Sequence, residues 1–288
     1  MTSIRHVAVL GAGTMGHGIT YVSALAGYHV SLTDVDADTL ARGSERIGAA
    51  FEKAIARGKC SAQERDAALA RLLVTPERDR AVRDADLVIE AVPERLELKQ
   101  QLLGKIEALV PPDALLASNT SSLSITTIAE PLRHPERVLG LHFFNPVPAM
   151  KLIEIVRGDR TADAAVAAAR EFATSLGKTP IVVRDTPGFA TSRLGVVLGL
   201  EAIRMLEQGV ASAQDIDRAM ELGYNHPVGP LKLTDMVGLD VRLAIAEHLH
   251  ETLHDDQYRP PALLREMVRD GRLGKKSGQG FYPWENDR

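Results

Sequence analysis

Short apolar runs alternate with stretches of helical period over the first two thirds of the chain. His6 to Leu10, His29 to Thr33, Leu73 to Thr75, Leu87 to Glu90, Leu115 to Ala117, Val138 to Leu141, Leu152 to Val156 and Pro180 to Val183 read as strands. Ile19 to Ala26, Ala37 to Arg57, Ser61 to Arg71, Leu96 to Leu109, Ser124 to Ile128 and Ala162 to Leu176 read as helices. The adjacent pair Ala37–Arg57 and Ser61–Arg71 predicts a helical hairpin inserted into a doubly wound α/β sheet, protruding from it. Asp185-Thr186-Pro187-Gly188 is the clearest breaker cluster and puts a domain boundary near Thr186, giving domains 1–186 and 187–288. Beyond it the pattern is helical only, an all-α C-terminal domain: Phe189 to Gln208, Ala213 to Leu222, Leu231 to Met236, Leu239 to Leu253 and Pro261 to Asp270. Gly195, Gly199, Ala202 and Ile203 offer a smooth face for close helix packing. A helical domain of this size has a small core and would gain by pairing with a second copy of the chain.

Composition narrows the class. The chain has 288 residues, 45% hydrophobic and 25% charged, with a net charge of −4. No global field favours nucleic acid or an anionic membrane. The single cysteine, Cys60, excludes an internal disulfide and fits a reducing compartment. No apolar run approaches the ~18 residues of a membrane span. Met1 to Arg5 lead straight into a strand, so no signal peptide is expected and the protein is read as cytoplasmic.

Gly11-Ala12-Gly13-Thr14-Met15-Gly16 sits between the first strand and the first helix, with Asp34 at the end of the second strand. This is the context of a Rossmann-type dinucleotide turn. Gly11 permits the tight turn, Gly13 lets backbone approach a pyrophosphate, and Gly16 lets helix and strand pack. Unpaired N–H groups at the helix start then face the phosphates. Thr14 and Met15, inside the turn, count with the glycines as cofactor-binding. Asp34 is placed to accept ribose hydroxyls and would repel a 2′-phosphate, which favours NAD over NADP.

Four other features could carry chemistry. His142 lies at the end of the apolar run Val138–Leu141, and Glu154 follows twelve residues later inside the next strand. On neighbouring strands the two would form a base with its orienting carboxylate. Taken alone, a strand-capping histidine and a glutamate on a solvated face are the simpler reading. Arg42, Arg46, Lys53 and Arg57 fall within about 60° of one helix face, either a solvated face or a site for a phosphorylated substrate. Glu94 and Lys99 flank the start of a helix at the strand-end crevice, where ordinary first-turn charges also occur. Ser118-Asn119-Thr120-Ser121-Ser122 ends a strand with small donors, as an N-cap or a substrate contact. His250-Glu251-Thr252-Leu253-His254 matches the H-E-x-x-H zinc pattern, but no later histidine supplies a third ligand, so no metal site is expected. The basic tail, Arg265 to Lys276 among glycines, reads as a flexible solvated end.

The glycine turn, Ser118–Ser122, His142-Phe143-Phe144-Asn145-Pro146, Asp185-Thr186-Pro187-Gly188-Phe189, Gly223 to Pro230, Val237-Gly238-Leu239-Asp240 and Gly274-Lys275-Lys276 to Phe281-Tyr282 together resemble the short-form L-3-hydroxyacyl-CoA dehydrogenases. The resemblance runs the whole chain, in order. It implies NAD-dependent interconversion of (S)-3-hydroxyacyl-CoA and 3-ketoacyl-CoA in fatty acid metabolism, in a homodimer formed through the C-terminal domain. It implies His142 as base, Glu154 as its partner carboxylate, and Ser121 between substrate and nicotinamide. It further implies cofactor contacts at Glu94, Lys99, Asn145 and Lys276. The basic hairpin is then the element that meets the CoA nucleotide, with Lys53 and Arg57 as the chosen contacts. One position departs: Ser192 stands where the family usually has asparagine before Arg193-Leu194, and a serine lacks the amide's second function. Two alternatives share the scaffold: an L-gulonate-type sugar acid dehydrogenase and a non-catalytic NAD-binding protein.

Overall fold

The computed structural model describes residues 3–285. The chain divides into two compact units, 1–186 and 187–288.

Unit one is built on eight strands: β1 (His6–Leu10), β2 (His29–Thr33), β3 (Leu72–Val74), β4 (Leu87–Glu90), β5 (Leu115–Ser118), β6 (Val138–Phe143), β7 (Leu152–Arg157) and β8 (Thr179–Arg184). Their order is β3-β2-β1-β4-β5-β6-β7-β8. The first six run parallel; β7 is antiparallel to β6, and β8 parallel to β7. Central strands covered on both faces must be apolar throughout, which is why Val7, Val9, Leu87, Val88, Ile89, Leu115 and Leu116 are almost fully buried. Seven helices join the strands: α1 (Gly16–Leu25), α2 (Ala37–Ala56), α3 (Ala62–Leu69), α4 (Arg78–Val82), α5 (Leu96–Glu107), α6 (Ile125–Ala129) and α7 (Asp163–Ser175). Strand order reverses between β1 and β4, so the crevice at their C-terminal ends is where a dinucleotide domain holds its ligand.

Local chemistry sets the helix starts. Asp36 caps α2 by accepting the Thr39 N–H at 2.6 Å. Ser61 and Glu64 form a reciprocal capping box on α3. The expected helical hairpin is present, but it is anchored rather than protruding. Leu40, Ile47, Phe51 and Ala54 of α2 and Ala68 of α3 are buried, and Phe51 meets Tyr21 of α1 edge to face at 4.7 Å. Its apolar stripe is therefore part of the core.

Unit two holds α8 (Thr191–Glu207), α9 (Ala213–Gly223), α10 (Pro230–Val237), α11 (Leu239–Leu253) and α12 (Ala262–Arg269). Val196, Leu200, Ile203, Leu231, Leu239, Ala246, Leu249 and Leu264 form its core. The smooth face of α8 is used inside the unit. A Cβ on Gly199 would stand 3.0 Å from Thr234 Oγ1 and 3.4 Å from Arg242 Nε. Arg242 is 5% exposed, and burial pulls its guanidinium down to about 10.

The tail differs from expectation. Its charged side chains are solvated, but Gly274 to Trp284 is stitched down. The fully buried Asp235 carboxylate accepts the backbone N–H groups of Phe281 and Tyr282, both at 2.9 Å, and the Trp284 indole N–H at 2.8 Å. A Cβ on Gly280 would lie 2.1 Å from that carboxylate, so glycine there is a packing requirement rather than a source of flexibility.

Candidate active site

The glycine turn separates into positions the protein needs and one it does not. Gly11 has φ +101°, and a Cβ on it would lie 2.7 Å from the Ala91 carbonyl oxygen. A Cβ on Gly16 would lie 1.7 Å from the Gly11 carbonyl oxygen. Around Gly13 a Cβ would meet nothing within 4 Å. The protein therefore does not require glycine at 13; the open space suits a ligand brought against the backbone. A Gly13→Ala variant is expected to keep the wild-type Tm without cofactor while weakening NAD binding by roughly tenfold or more, about the 1.4 kcal/mol that one lost close contact can represent. Calorimetry paired with NADH titration checks both.

Asp34 closes the same turn. One oxygen accepts the Ala12 N–H at 2.8 Å and the other the Asp36 N–H at 3.0 Å. A carboxylate has about four acceptor positions, so ribose hydroxyls can still be accepted.

At the ends of β4 and β5 lies a polar cluster larger than expected. Glu94 Oε1 accepts the Thr120 hydroxyl at 2.5 Å and the Ser121 N–H at 2.9 Å, with the Ser121 and Ser122 hydroxyls at 3.3 and 3.2 Å. Burial pushes the Glu94 carboxyl upward. The Thr120 hydroxyl, the Lys99 charge and the Ser121 N–H outweigh it and hold the group below the usual carboxylate range. Lys99 was expected to touch the cofactor. It is 1% exposed instead, with its ammonium 2.8 and 2.9 Å from the two Glu90 oxygens and 3.3 Å from Glu94. Its immediate partners are protein carboxylates, because a buried ammonium must be neutralised.

The dyad stands on the antiparallel pair of this sheet, β6 and β7, inside the edge strand β8. His142 lies inside β6, not beyond its end, and pairs directly with Glu154 of β7. Directly opposed residues present their side chains on the same face. His142 Nδ1 lies 2.7 Å from Glu154 Oε2; the histidine is 7% exposed and the glutamate fully buried. An ionised carboxylate only accepts, so Nδ1 carries the hydrogen and Nε2 is the basic nitrogen. The Phe144 ring packs on the imidazole, with centroids 4.3 Å apart. Asn119 Oδ1 accepts the Phe143 N–H at 2.9 Å, which fixes the Ser118–Ser122 loop against the strand that carries His142.

The remaining expected residues fall as follows. Asn145 is exposed in the turn after β6. Lys178, not anticipated, pins that turn: its buried ammonium donates to the Val147 and Met150 carbonyls at 2.7 and 2.6 Å. Only a lone lysine at the start of a strand signalled it. Lys53 and Arg57 are exposed, and among the described residues neither has an ion pair. In unit two, Ser192 sits in the first turn of α8, and the Lys276 ammonium donates to Asp240 Oδ2 at 2.6 Å. His254 is the left-handed residue beyond the end of α11 (φ 53°), and His250 faces Asp256 at 3.2 Å. The H-E-x-x-H spacing thus does not put both imidazoles on one helical face.

The sequence profile of the 3-hydroxyacyl-CoA dehydrogenase NAD-binding domain matches residues 6–186, and that of the C-terminal domain matches residues 188–284. The chain belongs to the 3-hydroxyacyl-CoA dehydrogenase family. It is 45% identical to a 3-hydroxybutyryl-CoA dehydrogenase of Mycobacterium tuberculosis, covering 98% of this chain and 99% of that one. It is 43% identical to one of Bradyrhizobium diazoefficiens, covering 98% and 96%. The crystal structure of (S)-3-hydroxybutyryl-CoA dehydrogenase from Ralstonia eutropha superposes with a TM-score of 0.95 at 41% identity, over 99% of this chain and all of that one. Family membership makes the chain an NAD-dependent oxidoreductase. Among the described residues, no helix is long and apolar enough to cross a membrane.

Proposed function

We propose that this chain catalyses the reversible oxidation of (S)-3-hydroxyacyl-CoA to 3-ketoacyl-CoA, with 3-hydroxybutyryl-CoA as substrate. The observation that carries this reading is the buried His142–Glu154 pair, 2.7 Å apart on neighbouring strands of the unit that bears the dinucleotide turn. NAD, when bound, supplies the hydride acceptor. Gly11, Gly13, Thr14, Met15 and Gly16 hold its pyrophosphate, Asp34 its ribose, and Glu94 and Asn145 its nicotinamide half. His142 Nε2 removes the proton from the C3 hydroxyl. Glu154 fixes the ring and stabilises the imidazolium that forms. In the reverse direction the imidazolium returns the proton to the keto oxygen. Ser121 donates to the substrate, and Ser192 keeps one hydroxyl donor where the family has an amide. Lys53 and Arg57 receive the CoA nucleotide; their exposure without an ion pair favours that role over a purely structural one. The sugar acid alternative is not favoured, since a small substrate has no use for this surface.

The test is NADH oxidation with acetoacetyl-CoA and longer 3-ketoacyl-CoAs beside the free keto acids. Turnover with the thioesters alone is expected; equal rates with free acids would sink the reading. Glu154→Gln removes the charge that favours the imidazolium. In this reductive direction His142 must be protonated, so the alkaline limb of the kcat/KM profile is expected to move to lower pH, with kcat reduced. An unmoved limb would dissociate the carboxylate from the base.

The C-terminal unit is assigned to dimerisation. Leu194, Leu222, Tyr224 and Met236 expose 71, 84, 76 and 53% of their surface there, and a second copy is the occupant that covers them. The mass in solution by light scattering checks this.

A further inference from the structure

Glu90 is the last residue of β4, stands in register with Leu10 of β1 and Ser118 of β5, and is fully buried. The sequence marks Glu94 and Lys99 nearby as candidates, but not Glu90 itself. Its carboxylate nevertheless accepts four hydrogen bonds from three residues. Both oxygens receive the Lys99 ammonium, Oε1 accepts the Ser118 hydroxyl, and Oε2 accepts the Val92 N–H at 3.3 Å. Burial pushes the Glu90 carboxyl up; the Lys99 charge and these hydrogen bonds oppose it.

A buried ion pair is a costly way to fill a core. Apolar side chains of the same volume are often as good or better for stability. What an apolar pair cannot supply is a cation beside Glu94. Lys99 reaches Glu94 Oε2 at 3.3 Å, while Oε1 of the same carboxylate gathers Thr120, Ser121 and Ser122. A second arm runs from Glu90 through the Ser118 hydroxyl to the Thr120 N–H, at 3.2 Å. Both arms end on one loop, and Asn119 of that loop holds the backbone next to His142.

We propose that Glu90 is a positioning residue for the cofactor and substrate edge: it orients Lys99, which fixes Glu94, while Ser118 fixes the 119–122 loop from the other side. The proposal rests on the reading of Glu94 and Ser121 given above. It assigns Glu90 no contact with cofactor or substrate.

Four proteins test it: wild type, Glu90→Gln, Lys99→Met and the double variant. Each is measured for Tm, for NADH dissociation constant by fluorescence titration, and for kcat with acetoacetyl-CoA. Glu90→Gln leaves the buried Lys99 ammonium with only the longer Glu94 pair, so Tm falls and NADH binding weakens about tenfold, the scale of one hydrogen bond to a charged group. The double variant leaves no buried charge unpaired between the two positions. Its Tm returns to near the wild-type value, but NADH binding stays weak, because Glu94 has lost its cation. This split is the expected result. NADH binding that recovers together with Tm would reduce Glu90 to a core residue and overturn the proposal. So would a Glu90→Gln protein that binds NADH within about twofold of wild type. If Glu90→Gln does not fold, the double variant decides alone on the same criterion. A wild-type protein that fails to bind NADH would overturn the reading of the edge itself, a distinguishable failure that takes this assignment with it.

Discussion

His142→Ala is expected to lower kcat with acetoacetyl-CoA and NADH by roughly 10²–10⁴-fold, the usual contribution of a positioned acid–base group. The NADH dissociation constant should stay near the wild-type value, because the glycine turn and Asp34 follow β1 and β2, which β4 and β5 separate from β6. His142 is buried, but its removal takes out one ring and one partner of Glu154 rather than a piece of the main core. Stopped-flow measurement of the hydride step separates a lost base from slow product release. A variant that turns over at a rate near wild type would remove the histidine from the mechanism and leave Glu154 without a chemical role.

Asp235→Ala is expected to have the largest effect on stability. Three donors, from Phe281, Tyr282 and Trp284, would lose one buried acceptor at once. Loss of one side of a buried charged network costs about 3–5 kcal/mol. For a helical unit of this size that corresponds to a Tm lower by something on the order of 10 °C or more. Asp235→Asn keeps a carbonyl oxygen and should recover part of the loss. Limited proteolysis reads the effect directly, because cleavage near Gly274–Gly280 should accelerate in the alanine variant. A tail equally resistant in both proteins would mean that Asp235 does not hold it.

Much of unit one was legible in the sequence. Strands of a doubly wound sheet are buried on both faces, so they appear as unbroken apolar runs, and β1, β2 and β4 match the expected bounds. At β5 and β6 the apolar run stops one or two residues short of the strand. Thus β6 continues through His142 to Phe143, and β5 includes Ser118. The helix α4 is five residues, three of them charged, with no period to detect. The turn and the dyad could be found because their chemistry is local or alternates along a strand. The Glu90–Lys99–Ser118 cluster could not, since three elements must be superposed before the carboxylate has partners. The single available signal was a glutamate closing the apolar run Leu87–Ile89 with a lysine nine residues on. The tail failed for a related reason: glycine-rich sequence suggests freedom, while Asp235, the residue that removes it, lies far away in the chain.

The β6–β7 pairing has a consequence for transplanting this chemistry. His142 and Glu154 meet because they are rungs of one ladder, so their separation along the chain is incidental. Sliding β7 by a single residue would turn Glu154 to the opposite face and replace it with an apolar neighbour, Ile153 or Ile155. A grafted dyad therefore needs the two strands in phase, together with the Lys178 clasp on the Val147 and Met150 carbonyls that keeps their connection from relaxing out of phase. A designer could redraw the exposed residues of that connection other than Asn145 and still move the pair as a cassette.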